Sequence, residues 1–421
     1  MSNFKSFVIY FLSCFSLLLG LALSENSSGG AKIDFEYLFP YVEGFTLNFK
    51  NGLDAYTSNP ASVIHSPVFY IIVSNIYKFI EDVIIIKIIY VFLCSFLPFL
   101  FFLILKNRFK LDRNILFIFS LIIFLSPYFR SSAIWLLGDN LSLIFFGLSI
   151  YYFNKVNELN DINLKNSFLC LFFLILCCYI RYYYCLFSLY YLFFFFQKLK
   201  KKNFLFVILI SFVLSVPAFL YFSYIFLNGD FVTAVNKVSH INFYNNSLII
   251  LSILLFYLFP FCFLQKKLFL EYVKNNKKII FVIFILFFLS YLIAQFFFAD
   301  LINFSSRGGG IFMKIANLID INALLFLSII SFISLIVLDF FFQEKRSQNY
   351  SLLLILIFSF PLFTIYQKYF DPLFFLLFFG LIKSNNFRNV FLKEKIFLFT
   401  TLTYFSIFYL VSLMYYSEKF F

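Results

Sequence analysis

Thirteen apolar runs separated by short polar connectors limit what this chain can fold into more than any motif does. They lie near residues 7–23, 83–105, 114–129, 133–153, 166–180, 182–196, 203–227, 247–264, 279–298, 321–342, 351–366, 372–382 and 396–416. A helix needs about 20 residues to cross roughly 30 Å of hydrocarbon, and somewhat shorter runs cross with help from interfacial side chains. With 63% hydrophobic and only 13% charged residues, a water-soluble fold of 421 residues could not hide its apolar surface. The expectation is an all-α polytopic membrane protein with about 13 transmembrane helices. It would form one integral membrane domain, with a large first outer loop at 24–82, core spans at 83–227, and C-terminal spans and outer loops at 228–421. Phe and Tyr are abundant, 74 and 29 residues, beside much Ile, Asn and Lys. AT-rich codons would produce such a profile, so aromatic richness as such is given no functional weight.

Orientation follows from where the cations fall. With the N-terminus inside, 22 of the 33 Lys and Arg residues lie on the inner side, ten on the outer side, and Lys87 within a span. This is the positive-inside pattern, and it explains the net charge of +13 without nucleic acid. The first run follows Lys5 and has an apolar core of about 17 residues, longer than a signal-peptide core, which favours an anchor over a cleaved leader. Around Arg181 the chain reads as two short helices meeting at the outer boundary. A single helix would put that cation near mid-membrane, at a cost of about 2.5–3.5 kcal/mol. The seven cysteines fall in or beside apolar runs without metal-site spacing and read as buried thiols.

Polar chemistry gathers in the first outer loop. Ser27-Ser28-Gly29-Gly30 is a flexible lead, followed by Ile33-Asp34-Phe35-Glu36-Tyr37. In an extended segment Asp34 and Glu36 would point the same way, and in a helix they would diverge. Residues 37–45 mix aromatic and polar side chains, as an interfacial helix does. His65-Ser66-Pro67 then leads into an apolar piece too short to span. Four further cations or acids stand out beyond the loop. Asp139 precedes a long apolar run, where an acid needs a partner or a polar cavity, or caps the helix. Arg181 sits among aromatic side chains, and Arg130 lies just outside the third span, each either a ligand or a snorkelling cation. Arg307, in Ser305-Ser306-Arg307-Gly308-Gly309-Gly310, combines a cation with a pliant backbone, as a lid or a connector does.

These stretches resemble the integral membrane glycosyltransferases of the GT-C superfamily, in particular the protein O-mannosyltransferases and the dolichol-pathway glucosyltransferases. Ile33-Asp34-Phe35-Glu36-Tyr37-Leu38-Phe39-Pro40 is similar to an Asp-Glu pair preceding an aromatic-x-x-Pro run, although here Phe35 separates the two acids. Ser66-Pro67-Val68-Phe69-Tyr70 is similar to a later Pro-x-x-Tyr. Leu136-Leu137-Gly138-Asp139-Asn140-Leu141-Ser142 resembles the acidic residue at the outer end of an early span, and Cys178-Tyr179-Ile180-Arg181-Tyr182 an Arg after a short helix. The likeness covers residues 1–195. It implies transfer of a sugar from a polyprenyl-phosphate donor to a lipid-linked glycan, glycolipid or protein acceptor, with inversion at the anomeric carbon and no nucleotide. Such a reaction needs a carboxylate to deprotonate the acceptor hydroxyl and a cation to stabilise the departing phosphate.

Asp34 is the expected general base, with Glu36 its partner or substitute. Asp139, Arg181, His65, Arg130 and Arg307 are the expected substrate-binding residues. No cofactor is expected, and the acidic residues are too sparse to argue for a divalent metal. Membrane lipids are the further partner, and nucleic acid is not. The expected setting is a bacterial inner membrane, with the N-terminus cytoplasmic, the first loop periplasmic and a task in envelope glycan synthesis. The alternative is a lipid-linked oligosaccharide flippase or polymerase-like transporter, which would place charged residues along the middle of several spans.

Overall fold

The computed structural model describes residues 3–57, 66–158, 163–227, 242–297, 308–362 and 364–417. Among the described residues the chain is helical throughout, with no strand. It divides into two units: one of residues 1–237 with 405–421, the other of residues 238–404.

The first unit opens with α1 (Asn3–Ala22), an apolar helix that leads through a turn into three helices in the first loop: α2 (Ala31–Leu47), α3 (Phe49–Thr57) and α4 (Val68–Ile80). The segment carrying both loop acids is therefore helical. Each residue advances about 100°, so Asp34 and Glu36 diverge by roughly 200°. Asp34 is half-buried, and Glu36 is exposed. Glu81, in the left-handed region at φ 53°, stops α4. Asp82 starts α5 (Val83–Arg108), its side chain accepting from the backbone N–H groups of Ile84 at 2.7 Å and Ile85 at 3.2 Å. Polar caps of this kind satisfy amides that a helix end leaves unpaired.

Next come α6 (Arg113–Ser120) with a 3-10 extension over Leu121–Leu125, and α7 (Pro127–Ile134), bent 65° from the preceding segment. Ser126 caps α7, and Pro127 occupies its first turn, where its missing N–H costs nothing. The unit continues with α8 (Asp139–Glu158), α9 (Leu164–Ile180), α10 (Phe187–Lys198) and α11 (Lys201–Leu227).

The second unit contains α12 (Phe243–Leu264), α13 (Lys266–Asn275), α14 (Lys277–Phe297), α15 (Gly310–Leu318), α16 (Ala323–Phe342), α17 (Arg346–Ser359), α18 (Leu373–Gly380), α19 (Asn385–Phe391) and the first half of α20 (Glu394–Tyr416). The second half of α20, from Phe405, belongs to the first unit.

Seven helical stretches among the described residues are long and apolar enough to cross a membrane, or eight if the bent Arg113–Ile134 pair is one span. The protein is thus a multi-pass, all-helical membrane protein, and 13 full-length crossings are not seen. The difference has physical causes. The expected run at 114–129 is broken at Ser126-Pro127. The run at 133–153 yields α8, whose ends carry Asp139, Asn140, Asn154 and Lys155. The runs at 182–196 and 372–382 yield helices of 12 and 8 residues, about 18 and 12 Å long. The runs at 321–342 and 351–366 yield α16 and the 14-residue α17, joined through a polar 3-10 turn at Gln343–Lys345 into one helical stretch, Ala323–Ser359.

Candidate functional site

The candidate site lies in the first unit, where α4 of the loop meets the start of α8 and the end of α9, with α2 and α3 packed on α4. Asp139 is the first residue of α8, so its carboxylate stands at the positive end of that helix. Arg181 terminates α9 in an extended conformation, φ −136° and ψ 99°, and is followed by a 3-10 turn over Tyr182–Tyr184. The chain thus breaks at Arg181, as two short helices require. The break turns the guanidinium onto Asp139: Nε donates to Oδ1 at 2.9 Å, and Nη2 donates to Oδ2 at 2.9 Å. This is the two-pronged arrangement that the planar guanidinium favours. The Tyr183 hydroxyl donates to the same Oδ1 at 3.3 Å. Burial works against the Arg181 charge, Asp139 outweighs it, and the guanidinium pKa is raised above its ordinary value.

Close approach makes this junction possible. A Cβ on Gly138 would lie 3.0 Å from the Phe69 ring and 3.2 Å from the Ile180 side chain, so glycine lets α8 begin against both α4 and the end of α9. The Tyr90 hydroxyl of α5 donates to the Leu137 carbonyl and fixes the connector that delivers Asp139.

Tyr70 of α4 lies at the centre. Its hydroxyl is within electrostatic reach of Arg181, Asp139 and Asp34 together. Burial raises the phenol's pKa, Arg181 pulls it down, and the two carboxylates add to the rise. The Tyr70 ring meets Tyr41 of α2 at 5.7 Å and Tyr56 of α3 at 6.2 Å between centroids, and Tyr41 meets Tyr56 at 5.3 Å. The three loop helices therefore pack through one tyrosine triangle beside the Asp139–Arg181 pair.

Glu36 faces a different neighbour. Lys87, in the second turn of α5, is buried with its Nζ 3.8 Å from the centroid of Phe35 and 4.3 Å from that of Trp135. Glu36 lies within its electrostatic reach. Cation–π contacts of this kind are worth more when water is excluded.

Arg130, expected to bind substrate, has protein partners on three of its nitrogens. Nε and Nη2 donate to the Glu25 carboxylate at 2.8 and 2.6 Å, and both side chains are only 6% exposed. Nη1 and Nη2 also reach the Ser16 hydroxyl at 2.9 Å and the Ser16 carbonyl at 3.0 Å. Tyr409 donates to Glu25 at 3.1 Å, and the Trp135 indole N–H donates to the Glu25 carbonyl at 2.7 Å. This knot ties α1, the turn before α2, α7 and the second half of α20. Trp135 extends it to Phe35 of α2, at 6.0 Å between rings.

His65 and Arg307 lie outside the described residues, as does the stretch 228–241 of the expected C-terminal part. Among the described residues no group of three or more His, Cys, Asp and Glu side chains gathers as a metal site would. Sequence reasoning gave Tyr70, Lys87 and Glu25 no site role. Each left a trace: Tyr70 closes the Ser66-Pro67-Val68-Phe69-Tyr70 element, Lys87 is a cation inside an apolar run, and Glu25 is an acid at the exit of the first one. No protein-family model, curated protein or solved structure matches the chain.

Proposed function

We propose that the protein is a membrane glycosyltransferase of the GT-C type, transferring a sugar from a polyprenyl-phosphate donor to a glycan, lipid or protein acceptor at the outer membrane boundary. The observation that supports this reading is the Tyr70 neighbourhood, where the Asp139–Arg181 pair and Asp34, far apart in sequence, lie within electrostatic reach of one phenol. In the reaction, the Asp34 carboxylate takes the proton of the acceptor hydroxyl as its oxygen attacks the anomeric carbon. The bond from that carbon to the phosphate oxygen breaks, and the polyprenyl phosphate leaves with the electron pair. Arg181, oriented by Asp139, stabilises the charge that develops on the phosphate. Glu36, on the opposite side of α2, is the alternative base. The proposed setting is a bacterial inner membrane with the first loop on the periplasmic side, and a crossing number above the seven long helices requires the shorter ones to pair across the bilayer.

The test is incubation of the purified protein with labelled polyprenyl-phosphate sugars and candidate acceptors. Sugar transfer is expected, and Asp34→Asn should lower turnover by about 100-fold or more while Glu36→Gln leaves most of it. Near-normal turnover in Asp34→Asn removes that residue from the mechanism. Movement of the labelled lipid across a bilayer without bond cleavage would replace this reading with lipid-linked oligosaccharide transport.

A further inference from the structure

A second polar cluster lies in the other unit and plays no part in the proposed reaction. Asp339, near the end of α16, is buried and accepts three hydrogen bonds: from the Tyr272 hydroxyl, from the Tyr350 hydroxyl at 2.9 Å and from Arg346 Nη2 at 3.0 Å. Tyr272 is the buried residue of α13. Together with ring contacts of Phe269 and Tyr272 to Phe340, each at 5.6 Å, this bond docks α13 flat against the end of α16. α13 is only ten residues long and is flanked by two membrane-length helices, α12 and α14, with one residue at each junction. It must therefore lie where the hydrocarbon ends.

Docking by one face decides what the other presents. Lys266, Lys267 and Lys274 are exposed, and so are Leu268 at 44% and Leu270 at 64%. Lys277 and Lys278 follow at the start of α14, Lys345 stands in the turn after α16, and the half-exposed Arg346 opens α17. Asp339 pairs with Arg346, and Glu271 and Glu344 are the acids set among the other six cations. A short helix at the membrane boundary with apolar side chains between ammonium groups matches a surface that is apolar below and anionic above.

We propose that α13 is a binding plate for anionic phospholipid headgroups, with Lys266, Lys267 and Lys274 contacting the lipid phosphates, Leu268 and Leu270 entering the acyl boundary, and the Tyr272–Asp339 bond holding the helix in that pose. The lysines bind as point charges, so headgroup charge matters and headgroup shape does not.

The experiment titrates the full-length protein, purified in neutral detergent, with mixed micelles containing phosphatidylglycerol or phosphatidylcholine. A preference for phosphatidylglycerol that shrinks with added salt is expected. Replacing Lys266, Lys267 and Lys274 together by Gln should reduce that preference on the order of tenfold or more, since each cation near an anionic surface contributes measurably. Arginine at the same positions should retain it. The same loss of charge in Lys32, Lys50 and Lys78, on the first loop, should leave it intact. These side chains are exposed, so an unchanged melting temperature confirms that the variants fold. Equal binding of both lipids, an unchanged preference in the α13 variant, or an equal loss in the first-loop variant would overturn the proposal. So would inorganic phosphate alone binding as tightly, which would define a site for a free anion.

Discussion

The Asp139 carboxylate receives two parallel hydrogen bonds from Arg181, each 2.9 Å long, across the break that ends α9 and onto the first residue of α8. Each charge is costly alone in so apolar a setting, where the two side chains are 18% and 11% exposed. The pair therefore fixes both helix ends at once, and its geometry sets what Tyr70 sees.

Removing one member should be worse than removing both. Arg181→Met leaves a carboxylate without its counter-charge and is expected to destabilise by about 3–5 kcal/mol, as breaking a buried pair does. Asp139→Asn leaves the reverse. The Asp139→Asn, Arg181→Met double variant should recover part of the loss, with a coupling energy of about 1–3 kcal/mol in a thermal or denaturant cycle in detergent. Strict additivity would mean the pair is not coupled in the folded protein.

Glu25 and Arg130 should behave as structural partners whose loss reaches the site through Trp135. Glu25→Gln is expected to lower the melting temperature and, if transfer is assayed, to reduce turnover without selectively weakening donor affinity. A selective rise in donor KM in Arg130→Lys with unchanged melting temperature would instead make Arg130 a direct phosphate ligand.

Gly52 sets the spacing between α3 and α2. A Cβ there would lie 2.7 Å from the Phe45 Cα, a backbone atom that cannot yield cheaply, and a Cβ on Gly44 would lie 3.1 Å from the Gly52 Cα. Gly52→Ala should cost about 1–3 kcal/mol, as overpacking does. Limited proteolysis should then cleave between α2 and α4 faster than in the native protein.

Alkaline pH should act through the buried loop tyrosines. Burial raises the phenols of both Tyr56 and Tyr70 above their ordinary value of 10.0. A group whose folded pKa lies above its unfolded one contributes its full stability below the unfolded pKa and loses it as pH rises beyond. Stability should thus be flat through neutral pH and fall from about pH 10 upward. Replacing Tyr70 by Phe should flatten that fall, measured by thermal unfolding between pH 8 and 11.

The membrane class, the helical content and the existence of a polar first loop were legible in the chain because hydrocarbon imposes a length scale that a run of side chains either meets or does not. The break at Arg181 was legible for the same reason, since a cation in an apolar run must find an exit or a partner. The number of full-length crossings was not. A Pro after Ser126, or the eight residues of α18, changes a run of suitable hydropathy into a bent or short helix, and only packing decides whether that is tolerated.

What the sequence by itself determined, then, was a chain that must put its backbone into helices, because no other local arrangement satisfies its amides outside water. What tertiary structure alone decided was which charges meet. Asp139 found Arg181, Glu25 found Arg130, Lys87 found two aromatic faces, and Asp339 gathered two phenols and a guanidinium. Hydropathy fixes where a side chain sits along the membrane normal and says nothing of its bearing around the helix axis or of its neighbour. The first of those pairings depends on Gly138 and the turn at Leu136, and the second on Gly20, where a Cβ would lie 2.6 Å from the Glu25 carboxylate.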